Sequence, residues 1–385
     1  MEQQKKYQPW QITKVKFFEN WLVICVITYF FMIAGEIIGS MIIETPVLML
    51  GVGLAMKNGT FSPEIFNNVE SDMEVFARLP LPDWVQTSVF YFMFIGIWIF
   101  FLLMMFIKLF KPVKTALWTK TSGNTVGKFI IGFLIGLGMN GACILAAYLH
   151  GDIKLTFDSF RPLSFLFVLF CVFVQSSAEE LVCRGFLYQM IAKNYKPWLA
   201  IAVNSLFFGA LHLGNPGVSW MAILDIVVTG VLFSLMVYYM DSIWAAMAAH
   251  ASWNFCQNII FGLLNSGLST PYSVFKMDPD SARNSFAYNV DFGVESTPFA
   301  IGIQVVVLII ILIWGMAKKK KPTDIWAMAE AERAAAAVET VVADTTEATE
   351  NVQMVYAVSE GTDDQTAADD PTAADVSTEE GGDIS

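Results

Sequence analysis

The stretch Leu163–Met190 reads LSFLFVLFCVFVQSSAEELVCRGFLYQM. Its first half is apolar all round, with no alternation of polar and apolar positions. About 20 apolar residues span a hydrocarbon core roughly 30 Å thick as a helix. Within the bilayer every backbone polar group has to be satisfied internally, so a span is a helix or part of a closed barrel. Barrel strands alternate in polarity and this run does not, so it reads as a transmembrane helix. Near its middle it carries three ionisable side chains, Glu179, Glu180 and Arg184.

The same reading extends outward. Further apolar runs cover Trp21 to about Met41, Val89–Phe110, Phe129–Tyr148, Trp198–Leu213 (a short one), Trp220–Met240, Ile243–Leu264 and Phe299–Met316. The apolar run from Pro46 to Met56 is either a re-entrant turn or an extension of the first span. Composition agrees: of 385 residues 55% are hydrophobic and 15% charged, and the mean hydropathy is +0.54, against about 25% charged in an ordinary soluble domain. The expected fold is all-α, a polytopic bundle of about eight transmembrane helices.

Lysine and arginine set the expected orientation. With eight spans, fifteen of them fall on one side, including Lys14, Lys16, Lys111, Lys114, Lys193, Lys196 and Lys318–Lys321; the other side receives six, Lys57, Arg78, Lys154, Arg161, Lys276 and Arg283. Both termini are therefore expected in the cytoplasm of a multi-pass cell-membrane protein. The first apolar run is too long for a cleavable signal peptide. The formal net charge of −12 comes from the tail: residues 322–385 hold sixteen acids and one arginine. That tail is poor in large apolar residues and is expected to be largely disordered and solvated, with a transient helix over Ile325–Val342. The five cysteines all lie in apolar runs without paired spacing, and they read as small buried hydrophobes.

An ionisable group at the bilayer centre costs roughly 2.5–3.5 kcal/mol on insertion scales, so it persists when paired or when it lines a wet cavity. Besides Glu179, Glu180 and Arg184, the spans contain His212, His250 and Asn254, and two further acids, Glu36 and Asp225. Residues four apart share a helix face, so Glu180 can pair with Arg184. Glu179 is turned about 100° away from that face and lacks the arginine. Phe208 shares a face with His212, and His250 with Asn254. Any one of these polar groups can serve as glue between helices, worth about 0.6 kcal/mol on average. As a group, a carboxylate, two imidazoles and a carboxamide can activate a water and stabilise an oxyanion, or relay protons in a transporter.

Taken in order, Glu179-Glu180-x-x-x-Arg184, Phe208-x-x-x-His212 and His250-x-x-x-Asn254 resemble the three motifs of the CAAX prenyl protease and bacteriocin-processing family, also called the Abi family. The resemblance covers about residues 125–265. It implies a helical intramembrane peptidase that depends on a glutamate. By that resemblance Glu179 is the general base, Glu180 and Arg184 complete its motif, and His212 helps hold the water. His250 and Asn254 form the third motif, with Asn254 suited to the oxyanion, and Phe208 packs at the wall of the substrate cavity. The family is usually regarded as not needing a metal. Zinc on Glu179, His212 and His250 is chemically conceivable but not favoured, and no cofactor is assigned.

The expected organisation is 1–124, a cytoplasmic segment and two spans; 125–265, the motif-bearing core; 266–317, an extracytoplasmic loop and the last span; and 318–385, a basic anchor and acidic tail. Expected partners are membrane lipids and a peptide or protein substrate, with a cytoplasmic partner for the tail kept open and no nucleic acid. Two other functions compete with peptide hydrolysis. One is a membrane scaffold or immunity-type protein without catalysis, and the other is a proton-coupled transporter that uses Glu179 and the histidines as a relay, with Glu36 and Asp225 as further acids. Substrate identity and the face to which the cavity opens are left open by the sequence.

Overall fold

The computed structural model describes residues 6–69, 72–107, 110–118 and 123–362. Eight helices follow the expected order: α1 Trp21–Lys57, α2 Asp83–Met104, α3 Val126–His150, α4 Pro162–Asn194, α5 Pro197–Leu211, α6 Trp220–Met240, α7 Ile243–Asn254 and α8 Pro298–Ala317. The polytopic helical bundle is borne out. Its starts carry local signals: the Asn20, Thr125, Ser219, Ser242 and Thr297 side chains accept from backbone N–H groups of the first turns, which satisfies donors a helix leaves open. Gly151 ends α3 at φ 80°, a left-handed cap that glycine adopts without strain.

Six of these helices are long and apolar enough to cross a membrane. The apolar run through Met56 proves to be an extension, because α1 continues through a π-helical turn at Ser40–Glu44 to Lys57. At 37 residues it reaches about 55 Å, well past the hydrocarbon core. Helices α5 and α7 are the short ones, at 15 and 12 residues. All of α7 is buried except Trp244, which is partly so, so its polar residues meet protein. A π-helical turn, Phe255–Ile260, continues it.

The close packing of α7 on α3 depends on glycine. A Cβ on Gly132 would lie 2.1 Å from the Ala245 carbonyl oxygen, and one on Gly136 2.0 Å from that of Ala249. The stretch joining α2 to α3 fills the space beneath α7. Its Val113–Leu117 turn is buried at Val113, Ala116 and Leu117, and Trp244 Nε1 donates to Leu117 O at 2.7 Å. Asn124 donates to Ala116 O at 2.6 Å and accepts from Ser242 Oγ at 3.2 Å. So α7 begins part-way up the bundle, with Ile243 against Gly185 of α4.

One end of the bundle gathers the N-terminal segment and the ends of α4 and α6. Tyr7 bridges to Tyr195, Lys193 pairs with Glu19 at 2.6 Å, and Thr323 N donates to Asp241 at 2.8 Å. The other end carries a long-range antiparallel strand pair, β1 Leu155–Phe157 on β2 Phe275–Met277, with Arg283 donating to Gly151 O at 2.6 Å. All five cysteines are free thiols.

The tail departs from the expected disorder. A helix, α9, runs over Ile325–Thr362, longer than the transient helix anticipated over Ile325–Val342. Its alanine-rich start favours helix intrinsically, although the described side chains beyond Trp326 are almost all exposed. The residues after Thr362 lie outside the described chain. The chain divides into a unit through Trp326 and a second from Ala327, so the body ends later than Lys321. Trp326 is 6% exposed, its Nε1 donates to Gln189 O at 3.0 Å, and the Lys193 ammonium lies 5.0 Å from its ring. A chain ended after Trp326 is expected to keep the full chain's thermal unfolding temperature in detergent. One ended after Lys321 should be destabilised by about 3 kcal/mol, the scale of losing a buried tryptophan. Equal stability of the two truncations would refute the docking of Trp326.

Candidate active site

Arg184 is fully buried. Its Nη1 donates to Glu180 Oε1 at 2.9 Å and its Nη2 to Gly230 O of α6 at 3.0 Å. The guanidinium lies 4.6 Å from the centre of the Phe208 ring and 5.6 Å from that of Phe233, within cation–π range. The i,i+4 pair expected from spacing is therefore formed. Immediately after Glu180 the helix widens into a π-helical stretch, Leu181–Leu187, and α7 widens in the same way after Asn254. Such turns recur at functional sites.

Glu180 reaches a second helix. His250 Nδ1 lies 3.0 Å from Glu180 Oε1, and a carboxylate oxygen there accepts, so Nδ1 carries the hydrogen. His250 Nε2 then turns to Glu179 Oε2 at 3.7 Å, longer than a hydrogen bond. Glu179 has no arginine, as expected, but it is not alone, because Gln175 Nε2 donates to its Oε1 at 2.5 Å. His212 is the residue that ends α5. Its Nδ1 lies 2.9 Å from Phe208 O; a carbonyl only accepts, so here too Nδ1–H donates and Nε2 is left as the acceptor in the neutral ring.

A cavity of about 270 Å³ is lined by Glu179, His212, His250, Asn254, Phe208 and Gln175, among others. The two histidines thus meet, although equal depths were not evident from spacing. Sixteen residues from Lys196 to His212 rise about 24 Å. From Asp241 to His250 the rise is only about 14 Å. The level of Ile243 against Gly185 reconciles them: nine residues from Asn194 back to Gly185 add about 14 Å, and seven from Ile243 to His250 about 10 Å.

Two assignments shift in detail. Asn254, expected to face an oxyanion, spends its amide hydrogens on α4, donating to Gln175 Oε1 at 3.3 Å and Ser176 Oγ at 3.1 Å. Phe208 is a packing hub, 3% exposed, its ring 4.9 Å from that of His212 and 5.9 Å from that of His250. The cavity also holds residues that the motifs did not reveal: Gln175, Glu295, Ser266 and Asn215. Of these only Gln175 had a signal, four residues before Glu179 on the same face. Glu36 of α1, noted as an extra intramembrane acid, lines the cavity, whereas Asp225 does not; Asp225 Oδ2 accepts from Ser296 N at 2.8 Å. Among the described residues, no three His, Cys, Asp or Glu side chains converge closely enough to hold a metal ion, so Glu179, His212 and His250 as placed do not form the zinc set considered above.

Residues 161–256, which run from the start of α4 into the turn after α7, match the family model described as Type II CAAX prenyl endopeptidase Rce1-like. That match covers the helices that carry Glu179, His212 and His250. The resemblance borne by the three motifs is confirmed over the helices that hold them, and the chain is a multi-pass membrane protein. It is also similar to the uncharacterized protein YyaK of Bacillus subtilis (strain 168), 28% identical over 189 residues, 46% of this chain and 60% of that protein. The match thus spans about three fifths of that relative's length. No solved structure matches.

Removing one partner of a buried ion pair strands the other charge, at a cost of about 3–5 kcal/mol. Arg184→Ala should therefore unfold in detergent at a markedly lower temperature than the parent chain, and Glu180→Gln should follow it. An unchanged unfolding temperature in Arg184→Ala would show that Arg184 does not hold α4 to α6 through the Gly230 carbonyl.

Proposed function

We propose that this protein is an intramembrane peptidase that hydrolyses peptide bonds of membrane-associated substrates, prenylated C-terminal peptides included, with a water activated by Glu179. The observation that carries the reading is the placement of Glu179 on the cavity wall with the Nε2 atoms of two histidines free to accept. Glu180 and Arg184 pair with each other, which leaves Glu179 as the carboxylate of the motif helices that faces the cavity. A water bound among Glu179, His212 and His250 would lose a proton to Glu179 as its oxygen attacks the carbonyl carbon. As the C–N bond breaks, that proton passes to the leaving amine nitrogen. Gln175, held by Asn254, orients Glu179. The substrate range of the Rce1-like description belongs to that family and reaches this chain only as a proposal.

Glu179→Gln keeps the shape of the side chain and removes the base. In liposomes, tested on a quenched-fluorescent farnesylated peptide and a panel of unmodified apolar peptides, the parent chain should cleave and Glu179→Gln should lose at least about a hundredfold in kcat, the low end for an acid–base group. Full cleavage by a folded Glu179→Gln chain would end the mechanism.

The termini are proposed to be cytoplasmic, following the lysine and arginine bias. The cavity's loop residues Asn215, Ser266 and Glu295 would then lie toward the outer face. In a cysteine-free background, a membrane-impermeant maleimide added to intact cells should label Ser285→Cys and spare Lys321→Cys. The opposite pattern would invert the topology.

A further inference from the structure

Two carboxylates in the cavity lie beyond the matched helices, Glu36 of α1 and Glu295. Glu295 sits in the connection ahead of α8 and is 8% exposed. Trp253 Nε1 donates to its Oε1 at 2.9 Å, while Ser266 donates to its Oε2 from N at 2.6 Å and from Oγ at 3.0 Å. The indole and backbone N–H groups can only donate, so each carboxylate oxygen meets a donor and the ionised form is the one this cradle fits. Trp253 lies three residues after His250 on α7, which ties Glu295 to a motif helix. Glu295 and His212 line the same cavity. Burial pushes the Glu295 carboxyl above its ordinary value; the Ser266 and Trp253 hydrogen bonds and the charge of His212 pull the other way.

We propose that Glu295 is a positioning residue for His212, its fixed negative charge holding the imidazolium that forms when Nε2 takes up a proton while Phe208 O holds Nδ1–H. The inference rests on the peptidase reading. In the reaction, the proton taken from water by Glu179 moves to His212 Nε2 and from there to the leaving amine as the C–N bond breaks, which returns the imidazole to its neutral form. A lone buried imidazolium is costly, and a carboxylate held by three donors needs no rearrangement to offset that cost. Other ionisable groups face the same space: Glu36 from α1, Tyr91 from α2, Glu179 from α4 and His250 from α7. Arg184 stands behind the Phe208 ring, and Asp225 of α6 lies outside the cavity but within the field of Glu295. Glu295 alone among these carboxylates is fastened at both oxygens by donors outside the motifs.

The test is the pH dependence of kcat in liposomes, read on the quenched-fluorescent farnesylated peptide. Glu295→Gln keeps size and removes charge. It should lower kcat about tenfold, the worth of one pKa unit of imidazolium stabilisation, with KM held. The acidic limb should move to lower pH, because a histidine without its anion protonates less readily. Glu295→Asp, which keeps the charge, should leave that limb in place. A merely structural role would lower the amount of active protein without moving the limb. If Glu295→Gln does not fold, Trp253→Phe, which removes one anchor of the carboxylate, should lower kcat with KM held. An inert parent chain, or an active Glu179→Gln, would sink the peptidase reading itself. An active parent with an inactive Glu179→Gln, and with Glu295→Gln or Trp253→Phe matching the parent in kcat and limb, would overturn this inference alone.

Discussion

Arg184 carries a full charge into the middle of an apolar bundle with none of its surface exposed, and much of the core is arranged around it. A bare guanidinium there is untenable. Its neutralisation needs Glu180 from the same helix, the Gly230 carbonyl from α6 and the Phe208 face from α5. A single side chain thereby ties three helices together. Glu180, already committed to Arg184, also accepts from His250 on α7, which brings in a fourth. Replacing such a pair with apolar residues often costs little stability, so packing alone does not explain it. Its other effect is to fix which ring nitrogen of His250 carries hydrogen and where the opposite nitrogen points.

The position of α7 follows from a second constraint. Glycines at 132 and 136 let its backbone approach α3 closely, and the buried Val113–Leu117 turn supports it from below. A helix so enclosed needs no lipid-facing length. That explains how 12 residues rich in alanine, carrying His250 and Asn254, can sit among true spans. The same support raises Ile243 to the level of Gly185, and so carries His250 to the depth of His212 at the end of α5.

Much of this was legible in the sequence. Long apolar runs give helices because the bilayer allows little else, and spacing of four gives shared faces. The Glu180–Arg184 pair, the separate course of Glu179 and the convergence of His212 and His250 follow from those two rules with the family resemblance. What spacing does not encode is partnership across long separations. Glu295 reaches the cavity through a loop held by Trp253 and Ser266, and no periodicity marks it. Asn254 was readable as a cavity residue, but its engagement with Gln175 and Ser176 depends on how α4 and α7 are rotated against each other. The tail misled for another reason: a lack of apolar residues argues against a packed core, yet an alanine-rich chain can still be helical without one.

The two neighbouring glutamates show how one helix supplies two unlike carboxylates. Glu180 is enclosed, bonded to arginine and histidine on one oxygen, and has no exposure. Glu179, one residue earlier, meets only a neutral carboxamide at hydrogen-bond distance, with His250 Nε2 at 3.7 Å. The bond from Gln175 gives Glu179 a fixed direction. The wider π-helical backbone that begins at Leu181 lies beyond Glu180, so both glutamates still follow ordinary α-helical geometry and diverge by about 100°. That angle separates a charge used to hold the bundle together from a charge exposed to the cavity, and a peptidase site needs the second to be free of the first.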